Sequence, residues 1–458
     1  MRSPAPSNTL EIFIATLAWP QRNSMFDAIH RMESSMNVQP SRRQAIQYLS
    51  ALAPLAILND GVANDSSKAT DANDVDAPIE EMGPYPSDLL PEGARSRFVN
   101  GINGLRMHVL EAGFEEGGRP GVLLLHGFPE LAYSWRRVMV PLAKAGYHVI
   151  APDQRGYGRT TGWERDYDVE IDSFRLLSLA GDALALVYAM GHRQVSVVGH
   201  DFGSPVAGWC ALTRPDVFTK VALMSAPFTG PAELPFDMAI ESDTNPSANY
   251  DLYAELAKLS RPRKHYQQYY RTREANENMW QASQGLHDFL RAYFHFKSAD
   301  WEGNQPHRLS ARTAEAMAQM PTYYIMNLNQ GMAETVTPYM PSEADIENNQ
   351  WLPDAELQVY TDEYERIGFQ GGLNWYRASI LGASQKRLFA GKRIEQPSLF
   401  VSGASDWGVY QNTGAFERMQ NQVCSDLRGV HLLEGAGHWV QQEQSEKTAR
   451  LLIDFLKS

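Results

Sequence analysis

The chain is poor in cysteine, in long apolar runs and in net positive charge, and each lack excludes something. Two cysteines in 458 residues, Cys210 and Cys424, cannot build a disulfide framework or a zinc site of cysteines alone. No apolar run reaches the ~18 residues that a membrane-spanning helix needs, so no span is expected. The formal charge is −13, which argues against nucleic acid as the main partner. No glycine-rich phosphate loop follows a strand, and no histidines and cysteines stand at metal-ligand spacing. The reading is therefore of a protein without a cofactor and without a metal. What the chain has in quantity is apolar residues, at 43%, enough for a large core.

Residues 1–81 read as leader and linker. Ser41-Arg42-Arg43, the apolar stretch Tyr48–Leu58 and the small residues Gly61-Val62-Ala63 follow in the order of a cleavable export signal, spanning 36–63. The arginine pair resembles a twin-arginine signal, although Ala45 stands where a large apolar residue is usual. The alternative is an ordinary amphipathic or disordered leader. The protein is periplasmic or secreted on the first reading and cytoplasmic on the second. Asn59–Glu81 is polar, acidic and free of aromatics, as a linker is.

From Met82 the pattern alternates. Strands are expected at Arg106–Glu111, Gly121–Leu125, His148–Ala151, Gln194–Val198, Val221–Met224, Ser398–Ser402 and Val430–Leu433. Helices are expected at Glu130–Ala145, Ile171–Met190, Ser204–Arg214 and Glu446–Leu456. Such alternation predicts an α/β fold, a mostly parallel sheet with helices on both faces. Residues 82–227 and 386–458 make that core. Residues 228–385 carry no convincing buried strand and are rich in Tyr, Trp, Gln and Asn, which predicts an inserted helical lid over the carboxyl edge of the sheet.

Gly199-His200-Asp201-Phe202-Gly203 lies between a strand and a helix. Glycines two residues to either side of a central polar residue fit the tight turn of a nucleophile elbow, with a carboxylate at its tip where many α/β hydrolases have serine. A carboxylate displaces a leaving group at an sp³ carbon and forms an alkyl ester. His126-Gly127-Phe128-Pro129-Glu130 follows another strand, so the backbone N–H groups of Phe128 and Phe202 are the candidate oxyanion donors. Gly403-Ala404-Ser405-Asp406-Trp407 and Gly435-Ala436-Gly437-His438-Trp439 follow later strands. The order Asp201, Asp406, His438 is the order of nucleophile, acid and base in this fold. His126 is read as structural.

From roughly Arg95 onward these motifs, with DQRGYGRT at 153–160, resemble the soluble epoxide hydrolases of the α/β hydrolase fold. The resemblance implies a small epoxide substrate turned into a vicinal diol through an ester on Asp201. It implies ring-opening tyrosines at Tyr376, in Gly368–Arg377, and at Tyr266, in His265–Tyr270, where Tyr269 and Tyr270 stand as alternatives. Trp375 and Trp439 are candidate substrate contacts, and the many lid aromatics suggest an apolar or aromatic substituent. Phe202 replaces a tryptophan common in the family. A haloalkane dehalogenase with the same nucleophile, and a small-molecule receptor without turnover, are the competing readings.

Overall fold

A computed structural model describes residues 81–234 and 250–458. The export-signal reading at 36–63 and nearly all of the linker lie outside the described residues. Six strands come first: β1 (Ala94–Ile102), β2 (Leu105–Ala112), β3 (Gly121–Leu125), β4 (His148–Pro152), β5 (Val195–His200) and β6 (Phe218–Met224). Two short strands, β7 (Arg263–His265) and β8 (Ile325–Asn327), pair with each other, and β9 (Ile394–Gly403) and β10 (Cys424–Leu433) follow. The main sheet runs β1-β2-β4-β3-β5-β6-β9-β10. β1 with β2 and β2 with β4 are antiparallel, and every later pairing is parallel.

The central strands are the apolar ones. All five residues of β3 are buried, as a strand covered on both faces requires. Helices α1 (Arg136–Lys144), α2 (Leu176–Ala189) and α3 (Gly203–Thr213) supply cover. α2 packs on α3, and α1 packs on the C-terminal helix Ser445–Lys457, a helical pair for each face. Cys210, inside α3, and Cys424 are buried free thiols.

Several sequence expectations need correction. β1 was not foreseen: its burial alternates poorly, and Arg95, Arg97 and Asn100 give it the polar look of an edge strand. The helix expected from Glu130 starts as a 3-10 turn at Ala132, and the one expected from Ile171 becomes α-helical only at Leu176. The stretch between β6 and β9 is mostly helical but holds β7 and β8, three residues each and too short to show a period.

That stretch is tied to the sheet's carboxyl edge at named points. The Trp375 indole donates to the Arg155 carbonyl at 2.8 Å. Arg159 pairs with Glu363 at 2.6 Å, and Arg136 pairs with Glu356. Gly156 and Gly371 meet backbone to backbone, since a Cβ on Gly371 would stand 2.1 Å from the Gly156 carbonyl. The loop after β4 thus seats the helix Gln370–Ser379, which carries Tyr376. Among the described residues no helix is long and apolar enough to cross a membrane.

Candidate active site

Asp201 stands at the turn between β5 and α3 with φ +50°, a left-handed conformation that a non-glycine residue adopts only under constraint. The neighbouring glycines are obligatory. A Cβ on Gly199 would lie 2.1 Å from the Gly203 carbonyl, and one on Gly203 2.3 Å from the Leu125 carbonyl. The strained turn lifts the carboxylate off the sheet.

Its two oxygens have different partners. Oδ1 accepts from the Phe128 N–H at 2.9 Å. Oδ2 faces His438 Nε2 at 3.1 Å. On the far side of the imidazole, Nδ1 lies 3.0 Å from Asp406 Oδ1. Asp406 is itself fixed by the Gly408 N–H at 2.6 Å and by the Ser402 hydroxyl at 3.0 Å. All three side chains are buried. Burial would raise the Asp201 carboxyl, but the hydrogen bond and charge of His438 hold it well below the usual carboxylate range. Burial and Lys297 push the His438 imidazole down; Asp406 and Asp201 outweigh them, and it stands above its ordinary value.

The tyrosines separate by geometry. The Tyr376 ring lies edge-on to Phe202 at 4.9 Å, Tyr270 at 5.0 Å and Phe128 at 5.6 Å. Tyr266 lies 6.0 Å from Tyr376, ring to ring. Both phenols are pushed well above the ordinary tyrosine value, first by burial and also by the Asp201 charge, so both are neutral donors. The Tyr266 hydroxyl takes a hydrogen bond from Gln267 and gives one to Gln411, each at 3.1 Å. The Tyr270 hydroxyl is spent on Tyr293 at 3.2 Å, and Tyr269 sits under Lys264. Of the three tyrosines in this segment, Tyr266 is the one on which the Asp201 charge acts, with its hydroxyl held between two amide side chains.

Phe202 precedes α3, and among the described residues its N–H has no hydrogen-bond partner, as expected of a donor at a helix start. Trp375 and Trp439, the expected substrate contacts, pack against Phe202 at 5.3 Å and His438 at 4.7 Å. Both are fully buried, and their indole N–H groups are spent on the carbonyls of Arg155 and Phe294. His126 bonds the Gly127 carbonyl through Nδ1 and the Gln154 N–H through Nε2, consistent with a structural histidine.

Some residues that shape the site had no sequence signal of their own. His200 Nδ1 meets Glu130 at 2.6 Å, and its Nε2 meets the His438 carbonyl at 2.7 Å, fixing the loop that carries His438. Glu443 accepts from the N–H groups of Gly437, Trp439 and Ala299 at 2.8, 2.9 and 2.8 Å. Among the described residues no cluster of His, Cys, Asp and Glu could hold a metal ion.

A cavity of about 340 Å³ is lined by Gln267, Gln411, Pro205, Phe228 and Leu252 among others. Two of its lining residues, Gln267 and Gln411, are the amides that hold the Tyr266 hydroxyl.

Comparison with known proteins agrees with this fold. Residues 120–444 match the family model described as the alpha/beta hydrolase fold. The chain is 34% identical over 370 residues to epoxide hydrolase B of Mycobacterium tuberculosis, covering 79% of this chain and 97% of that protein. It is 33% identical over 364 residues to epoxide hydrolase A of the same organism, covering 80% and 98%. An epoxide hydrolase from an endophytic Streptomyces superposes with a TM-score of 0.62 at 31% identity, covering 80% of this chain and 96% of the other. By this family model and these relatives, the chain belongs to the epoxide hydrolases of the α/β hydrolase fold.

Proposed function

We propose that this protein opens an epoxide to a vicinal diol in two half-reactions. Asp201 Oδ attacks one ring carbon from behind the C–O bond, which breaks with its electron pair staying on oxygen. One of Tyr376 and Tyr266 gives its proton to that oxygen, and the other hydrogen-bonds to it. This leaves a hydroxyalkyl ester on Asp201 and a phenolate. His438 Nε2 then takes a proton from water as the water oxygen adds to the ester carbonyl carbon. The N–H groups of Phe128 and Phe202 hold the oxyanion. On collapse the alkoxide leaves and takes the His438 proton, and the acid proton on Asp201 returns to the phenolate. Asp406 orients the imidazole and stabilises its charged form.

The observation that supports this reading most is the division of the Asp201 carboxylate. One oxygen already sits on the Phe128 N–H and the other faces the base. A hydroxyalkyl ester formed there has its carbonyl beside a donor and its water site beside His438. In the same reading residues 228–385 act as the lid over a core of 82–227 and 386–458, and the lid contributes both tyrosines. The aromatic wall of Phe128, Phe202 and Tyr270 around Tyr376 favours an apolar or aromatic substituent on the epoxide.

A single turnover of styrene oxide in isotopically labelled water tests the covalent route. The label is expected in the Asp201 carboxylate and not in the first-formed diol. Label that enters the diol directly overturns it. In His438→Gln the ester should form and persist.

A further inference from the structure

The helix Leu286–Lys297 ends on a lysine that the two half-reactions leave unused. Lys297 is 4% exposed, and among the described residues no carboxylate oxygen lies within 4.0 Å of its Nζ. A buried ammonium with no contacting anion is costly unless another group holds the charge. Here aromatic rings do so. Nζ lies 5.4 Å from the ring centre of Tyr293, 5.8 Å from Tyr323, 5.1 Å from Tyr324 and 5.3 Å from Trp439. Ring faces carry partial negative charge and attract a cation at such distances.

The cage adjoins the base. Trp439 follows His438 in the chain and packs edge-on to its ring at 4.7 Å. The Lys297 carbonyl accepts from the His438 N–H at 2.9 Å. Burial lowers the Lys297 ammonium from its ordinary value, and the charges of Asp201, Asp406 and Glu130 offset part of that.

The charges that face His438 come from several elements. Asp201 comes from the β5–α3 turn and Asp406 from the loop after β9, each in contact with a ring nitrogen. His200, at the end of β5, bonds the His438 carbonyl and has Glu130 behind it. Glu443 bonds the N–H groups on either side, at Gly437 and Trp439. Lys297 is the cation supplied from the segment between β6 and β9. In the resting state two carboxylates touch the imidazole and favour its protonated form, which is no base. Once Asp201 is an ester its charge is gone. Asp406 then pulls toward the imidazolium, and Lys297 pushes against it.

We propose that Lys297 is a positioning residue of the hydrolytic half-reaction, its caged ammonium keeping His438 Nε2 free of a proton in the ester intermediate so that it can take one from water. The proposal rests on the covalent reading above and adds to it the group that readies the base. It leaves the first half-reaction alone, because Asp201 stays ionised through its contacts with His438 and Phe128.

The test compares the wild type with Lys297→Met and Lys297→Arg on styrene oxide. Acid-quenched mass spectrometry follows formation and decay of the Asp201 ester across pH. In Lys297→Met the acid limb of ester decay should move up by about one pH unit, so that below the limb the ester decays ~10-fold more slowly and accumulates. The high-pH plateau and the rate of ester formation should stay within ~3-fold of wild type. Lys297→Arg, which keeps the charge, should keep the wild-type limb. A limb that does not move in Lys297→Met, slowing by the same factor at every pH, or a limb displaced in Lys297→Arg overturns the proposal. Lys297→Gln carries the same test if the methionine variant does not fold. Failure of the covalent reading would show separately, as a wild type in which no Asp201 ester forms.

Discussion

At the scale of single residues, the site assigns different work to chemically identical side chains. Three tyrosines within Tyr266–Tyr270 are alike in sequence, but their surroundings differ. Tyr266 donates to a glutamine amide and feels the Asp201 charge, Tyr270 donates to another phenol, Tyr293, and Tyr269 lies beside Lys264. Removing one donor to a developing oxyanion costs ~10²–10³ in kcat. Tyr376→Phe and Tyr266→Phe should each lose activity on that scale, mainly in ester formation, and the double variant should form no detectable ester. Tyr270→Phe should keep kcat within ~5-fold, since only a side-chain pair is lost. Stopped-flow measurement of ester formation for the four variants checks this. A larger loss in Tyr270→Phe than in Tyr266→Phe would move the second ring-opening role to Tyr270.

At the scale of elements, what could be read from the sequence is what local geometry dictates. The elbow was legible because only glycines fit two residues to either side of Asp201, and the order of Asp201, Asp406 and His438 because each follows a strand. Tyr266 could not be separated from its neighbours, because its direction is set by pairing across the insertion, where its N–H bonds the Tyr324 carbonyl at 2.8 Å. β1 was hidden by its charged edge, and Lys297 and Glu443 look like any surface helix residues until the chain folds. Two glycines show the difference between required and incidental. Gly199→Ala would drive a Cβ to 2.1 Å from backbone and should cost ~1–3 kcal/mol or prevent folding. Gly181, inside α2, has nothing nearer to its missing Cβ than Asn103 Nδ2 at 3.9 Å. Gly181→Ala should therefore stabilise by ~0.4–1 kcal/mol, by reducing the freedom of the unfolded chain. Urea unfolding of both variants decides whether the two signs differ.

At the scale of the whole molecule, the charge of −13 hides how its carboxylates are used. Glu111, Glu130, Asp153, Asp201 and Asp406 are all buried, and each is held below its ordinary value by cations, imidazoles or N–H donors despite burial. A carboxyl lowered in the folded state stabilises above its unfolded value and loses that contribution as pH falls through the folded one. These five carboxyls should therefore weaken the fold as pH falls through their folded values, while Glu443, raised by burial to about 8, acts with the opposite sign. Glu111 isolates one share of this away from the active site. Burial would raise it, but His148 at 3.1 Å, Arg97 and Arg95 at 3.0 Å bring it down to about 2, joining β1, β2 and β4 through one side chain. The two arginines are 38% and 45% exposed, so solvent screens much of the interaction and its worth is reduced to about 1–2 kcal/mol. Glu111→Gln should be less stable than the wild type by that amount at neutral pH. The gap should then narrow as pH falls below about 4.5, because the wild type loses an ionised carboxylate that the variant never had. Thermal unfolding from pH 7 to 3 measures both quantities. A gap that stays constant over that range would mean that Glu111 holds the edge of the sheet through the shape and hydrogen bonds of its side chain, and not through its charge.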